Sequence, residues 1–148
     1  MPRVLVVHGP NLNMLGIREP DIYGSQTLEE INALIAQEAD RLGLELRVLQ
    51  SNFEGEIVEA IQAAYGWADA IIINPAGYTH TSVVIRDAIA AVRLPAIEVH
   101  LSNIWAREDW REKSVTAPVC VGVVAGFQGE SYVLALRAAT SLVHRGAQ

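Results

Sequence analysis

Residues 4–24 of the chain read VLVVHGPNLNMLGIREPDIYG, a short apolar run followed by a polar loop. The four apolar residues, three of them β-branched, are typical of a strand that is buried on both faces of a sheet. The loop carries the side chains of Asn11, Asn13, Arg18 and Tyr23. In open α/β sheets, ligands bind beyond the carboxyl ends of the strands. We therefore expect this loop to form part of a catalytic site.

Four further apolar runs follow, at residues 46–49, 70–73, 96–99 and 119–125, and helix-like segments separate most of them. The first helix is predicted to begin at Thr27, where the spacing to Glu30 matches a capping box, and to stop at Gly43. Others are predicted after Asn52, after Thr81 and over residues 130–144. Because strands alternate with helices, the predicted fold class is α/β, with a flavodoxin-like, doubly wound, five-stranded parallel sheet and helices on both faces.

Composition limits the possible functions. A chain of 148 residues, 51% of them hydrophobic, is expected to form a single domain over residues 1–148. The formal net charge is −6, and lysine and arginine do not cluster, so we expect no nucleic-acid partner. Cys120, the only cysteine, is predicted to be a small buried thiol. Since no apolar run reaches 18 residues, we expect no membrane association and a soluble, cytoplasmic protein.

Polar side chains collect where three of the predicted strands end, whereas the opposite rim of the sheet carries ordinary residues. The collection comprises His8, Asn11, Arg18 and Tyr23 after the first strand, Asn74, Tyr78 and His80 after the third, and His100, Ser102, Asn103, Arg107 and Arg111 after the fourth. Each residue alone has a structural explanation, such as a turn for Asn11 or a solvated charge for Arg18. Their common location predicts a functional site at this rim.

Tyr23 and His100 are the candidate base and acid. An unperturbed phenol keeps its proton until about pH 10 and is a poor base at neutral pH, but a guanidinium within roughly 4 to 6 Å favours the phenolate. Arg18 precedes Tyr23 by five residues in a loop bent by Pro20. His100 follows Glu98 by two positions, so both side chains point to the same side of the strand and the carboxylate would favour a protonated imidazole. A histidine that is simply satisfied by the backbone remains the alternative.

The charge of the substrate can also be inferred. Arg111 and the backbone N–H groups of Leu101 and Ser102 suit a carboxylate, which predicts a small anionic substrate. Asp87 lies seven residues beyond His80, about 10 Å along a helix, so the two cannot easily share one compact pocket. Asp87 is then either a solvated helix residue or a residue that reaches a neighbouring chain.

Signatures of cofactor and metal sites are weak. The chain has neither a dinucleotide-binding glycine pattern nor a P-loop. Glu98 and His100 could supply two metal ligands, but a third at a suitable spacing is missing. We therefore expect no cofactor and no metal.

Four ordered motifs carry a specific resemblance. They are the loop GPNLNMLGIREPDIYG at residues 9–24, QSNFEG at 50–55, INPAGYTH at 73–80 and EVHLSN at 98–103. With these motifs the chain resembles the type II 3-dehydroquinate dehydratases. The resemblance implies a flavodoxin-like subunit, trimers assembled into a homododecamer, no cofactor, and reversible loss of water from 3-dehydroquinate to give 3-dehydroshikimate.

The resemblance also implies roles for individual residues. Tyr23 would accept the proton, Arg18 would stabilise the tyrosinate and the transition state, His100 would protonate the departing hydroxyl, and Asn11 would hold a water near the enolate oxygen. The implied substrate-binding residues are Asn74, His80, Leu101, Ser102, Arg111 and, from the adjoining subunit, Asp87. Trp105 and residues 112–118 depart from the family pattern, which leaves open whether Arg107 or Arg111 faces the substrate.

Three other classes of protein are alternatives to the enzyme. The main alternative is a flavodoxin-like module that binds a small ligand or flavin without catalysis, but the first loop is not the Ser/Thr-rich phosphate loop that a flavin needs. A signalling receiver would have aspartate where Asn74 stands, and a purely structural assembly protein would not need Tyr23 and His100 on one rim.

For the enzyme, residues 18–25 are expected to act as a lid that orders over bound ligand.

Overall fold

A parallel β-sheet forms the centre of the structure, a computed structural model that describes residues 1–17 and 19–146. Within these ranges the sheet has five strands: β1 (Arg3–His8), β2 (Glu45–Gln50), β3 (Ala70–Asn74), β4 (Ala96–His100) and β5 (Gly122–Ala125). The strand order is β2-β1-β3-β4-β5, and every neighbouring pair is parallel. This is the flavodoxin-like order that the sequence predicted.

Helices cover both faces of the sheet. They are α1 (Pro20–Tyr23), α2 (Leu28–Leu42), α3 (Glu54–Ala64), α4 (Val83–Val92) and α5 (Glu130–Gly146). Successive residues of a strand point to opposite faces, so Val4 and Val6 of β1 pack in one core cluster with α2 and α5, whereas Leu5 and Val7 pack in the other with α3 and α4. The sheet is therefore buried on both sides, and the carboxyl ends of its strands stay open for a site.

The predicted ends of α2 are confirmed. The Thr27 hydroxyl accepts a hydrogen bond from the Glu30 N–H at 3.2 Å, which caps the first turn. After Leu42 the backbone turns at Gly43, whose φ of +71° lies in the left-handed region.

Two segments differ from the prediction. The fifth strand was predicted over residues 119–125 but begins only at Gly122, because Ala117–Val119 forms a 3₁₀ turn around Pro118, which has no N–H to donate to a sheet. Cys120 is consequently only partly buried. Helix α1 lies inside the predicted loop of residues 8–25, with Pro20 as its first residue. No helix in the described ranges has the length and apolar character needed to cross a bilayer.

Candidate active site

A pocket opens at the carboxyl ends of β3 and β4, beneath α1. Its lining combines titratable and polar side chains with apolar walls: Leu12, Tyr23, Asn74, Ala76, Gly77, His80, His100, Leu101, Ser102, Ile104, Arg107 and Arg111. Because the strands are parallel, residues that follow β3 and β4 meet at one edge, and α1 brings Tyr23 in from the first loop. Eight of the residues predicted from the sequence therefore line one cavity.

His100 is bound to Glu98 through one ring nitrogen. Its Nε2 donates to Glu98 Oε2 at 3.0 Å, and both side chains are buried. The pair lies on one face of β4, since the intervening Val99 packs in the cluster on the other face. The bond to the carboxylate leaves Nδ1 as the ring nitrogen available to the pocket.

His80, unlike His100, is bonded to a backbone carbonyl and not to a carboxylate. Its Nδ1 donates to the Lys113 carbonyl at 2.8 Å, and Trp110 packs against the ring edge-to-face at 5.3 Å. Burial lowers the pKa of His80, and the nearby Arg111 acts in the same direction. The neutral ring therefore offers its Nε2 lone pair as a hydrogen-bond acceptor, which suits a substrate hydroxyl.

Asn74 is fixed by two partners behind the pocket. Its Oδ1 accepts from the Ala76 N–H at 3.1 Å, and its Nδ2 donates to the Tyr132 hydroxyl at 3.1 Å. Tyr132 is fully buried, and burial raises its pKa, so the hydroxyl stays protonated. Asn74 thus has a fixed orientation with one amide hydrogen left for a ligand.

Two arginines line the pocket, in different environments. The Arg107 guanidinium lies 4.9 Å from the centre of the Tyr23 ring, and one of its terminal nitrogens donates to Ser102 Oγ at 3.4 Å. In the part of the chain that the structure describes, the buried Nε of Arg107 has no hydrogen-bond partner. Arg111 is held by Glu108 at 2.5 Å and stacks on Trp110 at 4.1 Å. The pocket is consequently lined by two guanidinium groups, which suit an anionic ligand.

This geometry agrees with a match along nearly the whole sequence. A family profile described as Dehydroquinase class II matches residues 2–140. The chain belongs to the class II dehydroquinase family.

Individual members of the dehydroquinase family are similar throughout. A 3-dehydroquinate dehydratase of Geotalea daltonii is 60% identical over 136 residues, covering 92% of this chain and 94% of that protein. One of Desulforudis audaxviator is 54% identical over 144 residues, covering 97% and 96%. The crystal structure of a type II dehydroquinase from Butyrivibrio crossotus superposes with a TM-score of 0.91 at 44% identity, covering 93% of this chain and 97% of that one. Fold and sequence thus identify the same family.

The remaining predicted site residues lie elsewhere. Asn11 is exposed, has a left-handed φ of +70°, and does not line the pocket; its N–H donates to Asn52 Oδ1 at 2.9 Å. Asp87 lies on an exposed side of α4, in a separate groove with Val58 and Val84. Arg18 lies outside the described residues. Within the described ranges no three His, Cys, Asp or Glu side chains are grouped where they could hold a metal ion.

Three further residues of the predicted rim collection, His8, Tyr78 and Asn103, do not line the pocket, which in turn contains residues that the sequence did not single out. His8 ends β1 but is completely buried among Asn32 and Tyr132, so it does not face the pocket. Leu12 and Ile104 supply apolar walls and are buried. Their signal in the sequence is only that they follow a strand end by a few residues. Arg107 was an open candidate, and the structure places it beside Tyr23 as well as in the pocket.

Proposed function

We propose that the protein catalyses the reversible dehydration of 3-dehydroquinate to 3-dehydroshikimate, a step of aromatic amino-acid biosynthesis, as one enzyme domain that spans the chain. The observation that carries the proposal is the presence of Tyr23 and His100 in one pocket with Arg107 and Arg111. Relatives that bear the name 3-dehydroquinate dehydratase match over 90% or more of the chain. The absence of a cofactor and a cytoplasmic location remain the predictions made from the sequence.

In the proposed first step Tyr23, as a phenolate, removes a proton from the carbon next to the substrate ketone. The electron pair of the broken C–H bond moves towards the ketone oxygen and gives an enolate. The Arg107 guanidinium, 4.9 Å from the ring centre, supports a negative phenol oxygen. By the family resemblance Arg18 has the same role, and Asn11 holds a water beside the enolate oxygen.

In the second step the enolate collapses and the C–O bond to the leaving hydroxyl breaks. His100 donates its Nδ1 proton to that oxygen, so water leaves by anti elimination. The Glu98 carboxylate, 3.0 Å from Nε2, balances the charge of the protonated ring before the transfer. Proton exchange with solvent then restores the tyrosine anion and the histidine cation.

The other lining residues fit the binding of a hydroxylated carboxylate. Arg111 and the backbone N–H groups of Leu101 and Ser102 are proposed to hold the carboxylate. Asn74 and His80 are proposed to hold substrate hydroxyls, with the amide as donor and the neutral imidazole as acceptor.

We also propose that the subunits form trimers, assembled into a homododecamer, and that Asp87 acts in the pocket of an adjoining subunit. This is supported by the position of Asp87 on α4, outside the pocket of its own chain. The neighbouring Val84 is 50% exposed, which suits contact with another copy.

The test is the ultraviolet absorbance of the conjugated enone product when 3-dehydroquinate is added to the purified protein. The proposal predicts that the absorbance rises and that borohydride leaves no covalent adduct, because the enolate route uses no Schiff base. Lys113 is the only lysine in the chain, so Lys113→Arg is a direct control. An unchanged absorbance, or substrate trapped on Lys113, would refute the proposal. A yellow, flavin-containing protein that does not turn over substrate would favour the ligand-binding alternative.

A further inference from the structure

The segment of residues 113–116 runs behind the pocket. It contacts His80 directly and His100 through its partner Glu98. The Lys113 carbonyl accepts from His80, while the Ser114 and Thr116 hydroxyls donate to Glu98, the partner of His100. The segment itself is fixed by the Val115 N–H, which donates to the Thr79 carbonyl at 2.7 Å. From the sequence this stretch was a divergent loop without a role.

Glu98 is completely buried, with 0% of its surface exposed. A buried carboxylate is costly unless hydrogen-bond donors replace the lost water. Its Oε1 accepts from Thr116 and, at 3.1 Å, from Ser114; its Oε2 accepts at 3.0 Å from both Ser114 and His100. Within the described chain, Glu98 thus accepts from the Ser114 and Thr116 hydroxyls in addition to His100.

The two hydroxyls are themselves held in place. Ser114 Oγ accepts from the Ala117 N–H at 2.9 Å, so its own hydrogen is free to point at Glu98. Thr116 is completely buried and begins the 3₁₀ turn at Ala117–Val119. The turn that shortens β5 is therefore also the turn that aims both hydroxyls at the carboxylate.

We propose that Ser114 and Thr116 are positioning residues for the acid step. The inference rests on the proposed function: the hydroxyls keep Glu98 an ionised acceptor with Oε2 directed at His100 Nε2, and the imidazole then presents Nδ1–H to the leaving hydroxyl. Without them Glu98 has only the His100 N–H to replace its hydration, and its Oε2 is no longer held towards His100 Nε2. His100 then loses the contact that orients its ring.

Steady-state kinetics of four variants test this. Thr116→Val keeps the shape of the side chain but removes the hydroxyl, and we expect kcat to fall about tenfold or more, part of the 10²–10⁴-fold that a general acid contributes. KM is expected to stay within about twofold, because neither hydroxyl lines the pocket. Thr116→Ser restores the donor and is expected to restore kcat. Ser114→Ala, at a less buried position, provides a second measurement if Thr116→Val folds poorly. Thr140→Val is the matched control, because the Thr140 hydroxyl donates to the Leu136 carbonyl of its own helix.

An NMR measurement, which needs no turnover, tests this inference separately from the proposed function. The ¹⁵N NMR signals of the His100 ring, assigned with His100→Asn, report which nitrogen carries hydrogen without any turnover. We expect a protonated Nε2 in the wild type and in Thr116→Ser, and a changed pattern in Thr116→Val. Wild-type protein that fails to dehydrate 3-dehydroquinate would refute the proposed function alone. The positioning role is overturned if Thr116→Val keeps wild-type kcat and ring signals, or if Thr116→Ser loses as much kcat as Thr116→Val.

Discussion

Four side chains behind the pocket, three of them buried, form a hydrogen-bond chain with one consistent direction. Asn32 Oδ1 can only accept, so His8 Nε2 donates to it at 2.7 Å and His8 Nδ1 accepts from the Tyr132 hydroxyl at 2.8 Å. Tyr132 in turn accepts from Asn74. The orientation of a proposed substrate-binding amide is therefore set by a neutral histidine at the end of β1.

This chain predicts how stability depends on pH. Burial lowers the pKa of His8 to about 4, whereas an unfolded histidine titrates near 6.5. Between these values the unfolded chain binds more protons than the folded one, so the free energy of unfolding falls as the pH falls from 6.5 to 4. The loss is about 3 kcal/mol from this group. Urea unfolding of wild type and His8→Asn at several pH values measures it, and equal slopes for the two proteins would contradict the assignment.

Site residues that directly follow a strand could be predicted from the sequence. Residues on a loop that returns to the site from further along the chain could not. Asn74, His80 and His100 could be placed together because parallel strands align their carboxyl ends. Ser114 and Thr116 follow Glu98 by 16 and 18 residues. No periodicity in the sequence shows that residues 114–116 return to Glu98. The turn at Pro118, which brings them back, overlaps residues that were interpreted as a strand. The burial of His8 was missed because Tyr132, its partner, is 124 residues away.

At the scale of elements, Gly9 joins the ends of β1 and β3. Its N–H donates to the Asn74 carbonyl at 2.8 Å. A Cβ at this position would lie 2.7 Å from the carbonyl carbon and oxygen of Pro75, closer than van der Waals contact allows. The two loops that form the floor of the pocket can approach each other only because residue 9 has no side chain.

Gly9→Ala is expected to push the Asn74–Pro75 backbone away from β1, raise KM and destabilise the fold by about 1–3 kcal/mol, the usual cost of overpacking. Gly55→Ala is the matched control: its Cβ meets no atom within 4 Å, and alanine inside α3 stabilises a helix by about 0.5–1 kcal/mol. Enzyme assays and thermal melts of both variants measure the difference. A Gly9→Ala protein with unchanged KM and melting temperature would contradict this reading of the loop contact.

At the scale of the whole molecule, the proposed site needs residues from two subunits. One chain has a mass of 16.1 kDa, and sedimentation is expected to give about three or twelve times that value. The sequence alone separated Asp87 from His80 by helix geometry, and the structure places Asp87 in a groove between α3 and α4. Sequence patterns could not show which surface would cover that groove in the proposed assembly, because a complementary shape comes from distant parts of the chain.

Mixing inactive variants tests the shared site. Subunits with Tyr23→Phe and subunits with Asp87→Ala, unfolded together and refolded, are expected to regain activity, because some pockets then combine an intact Tyr23 with an intact Asp87 from the neighbour. A mixture of Tyr23→Phe and His100→Asn is the control, and no recovery is expected because both residues belong to the same pocket. Absence of recovery in the first mixture, or a protein that sediments as a single chain, would contradict the assembly.

The hydroxyl of Tyr23 is proposed to take the proton from carbon, and kcat of Tyr23→Phe, followed by the enone absorbance, tests this role. Tyr65→Phe serves as the control, since Tyr65 is 73% exposed and remote from the pocket. We predict that Tyr23→Phe lowers kcat by at least two to four orders of magnitude, the usual contribution of a general base, while KM changes little and Tyr65→Phe behaves as wild type. Wild-type kcat in Tyr23→Phe would show that Tyr23 is not the base.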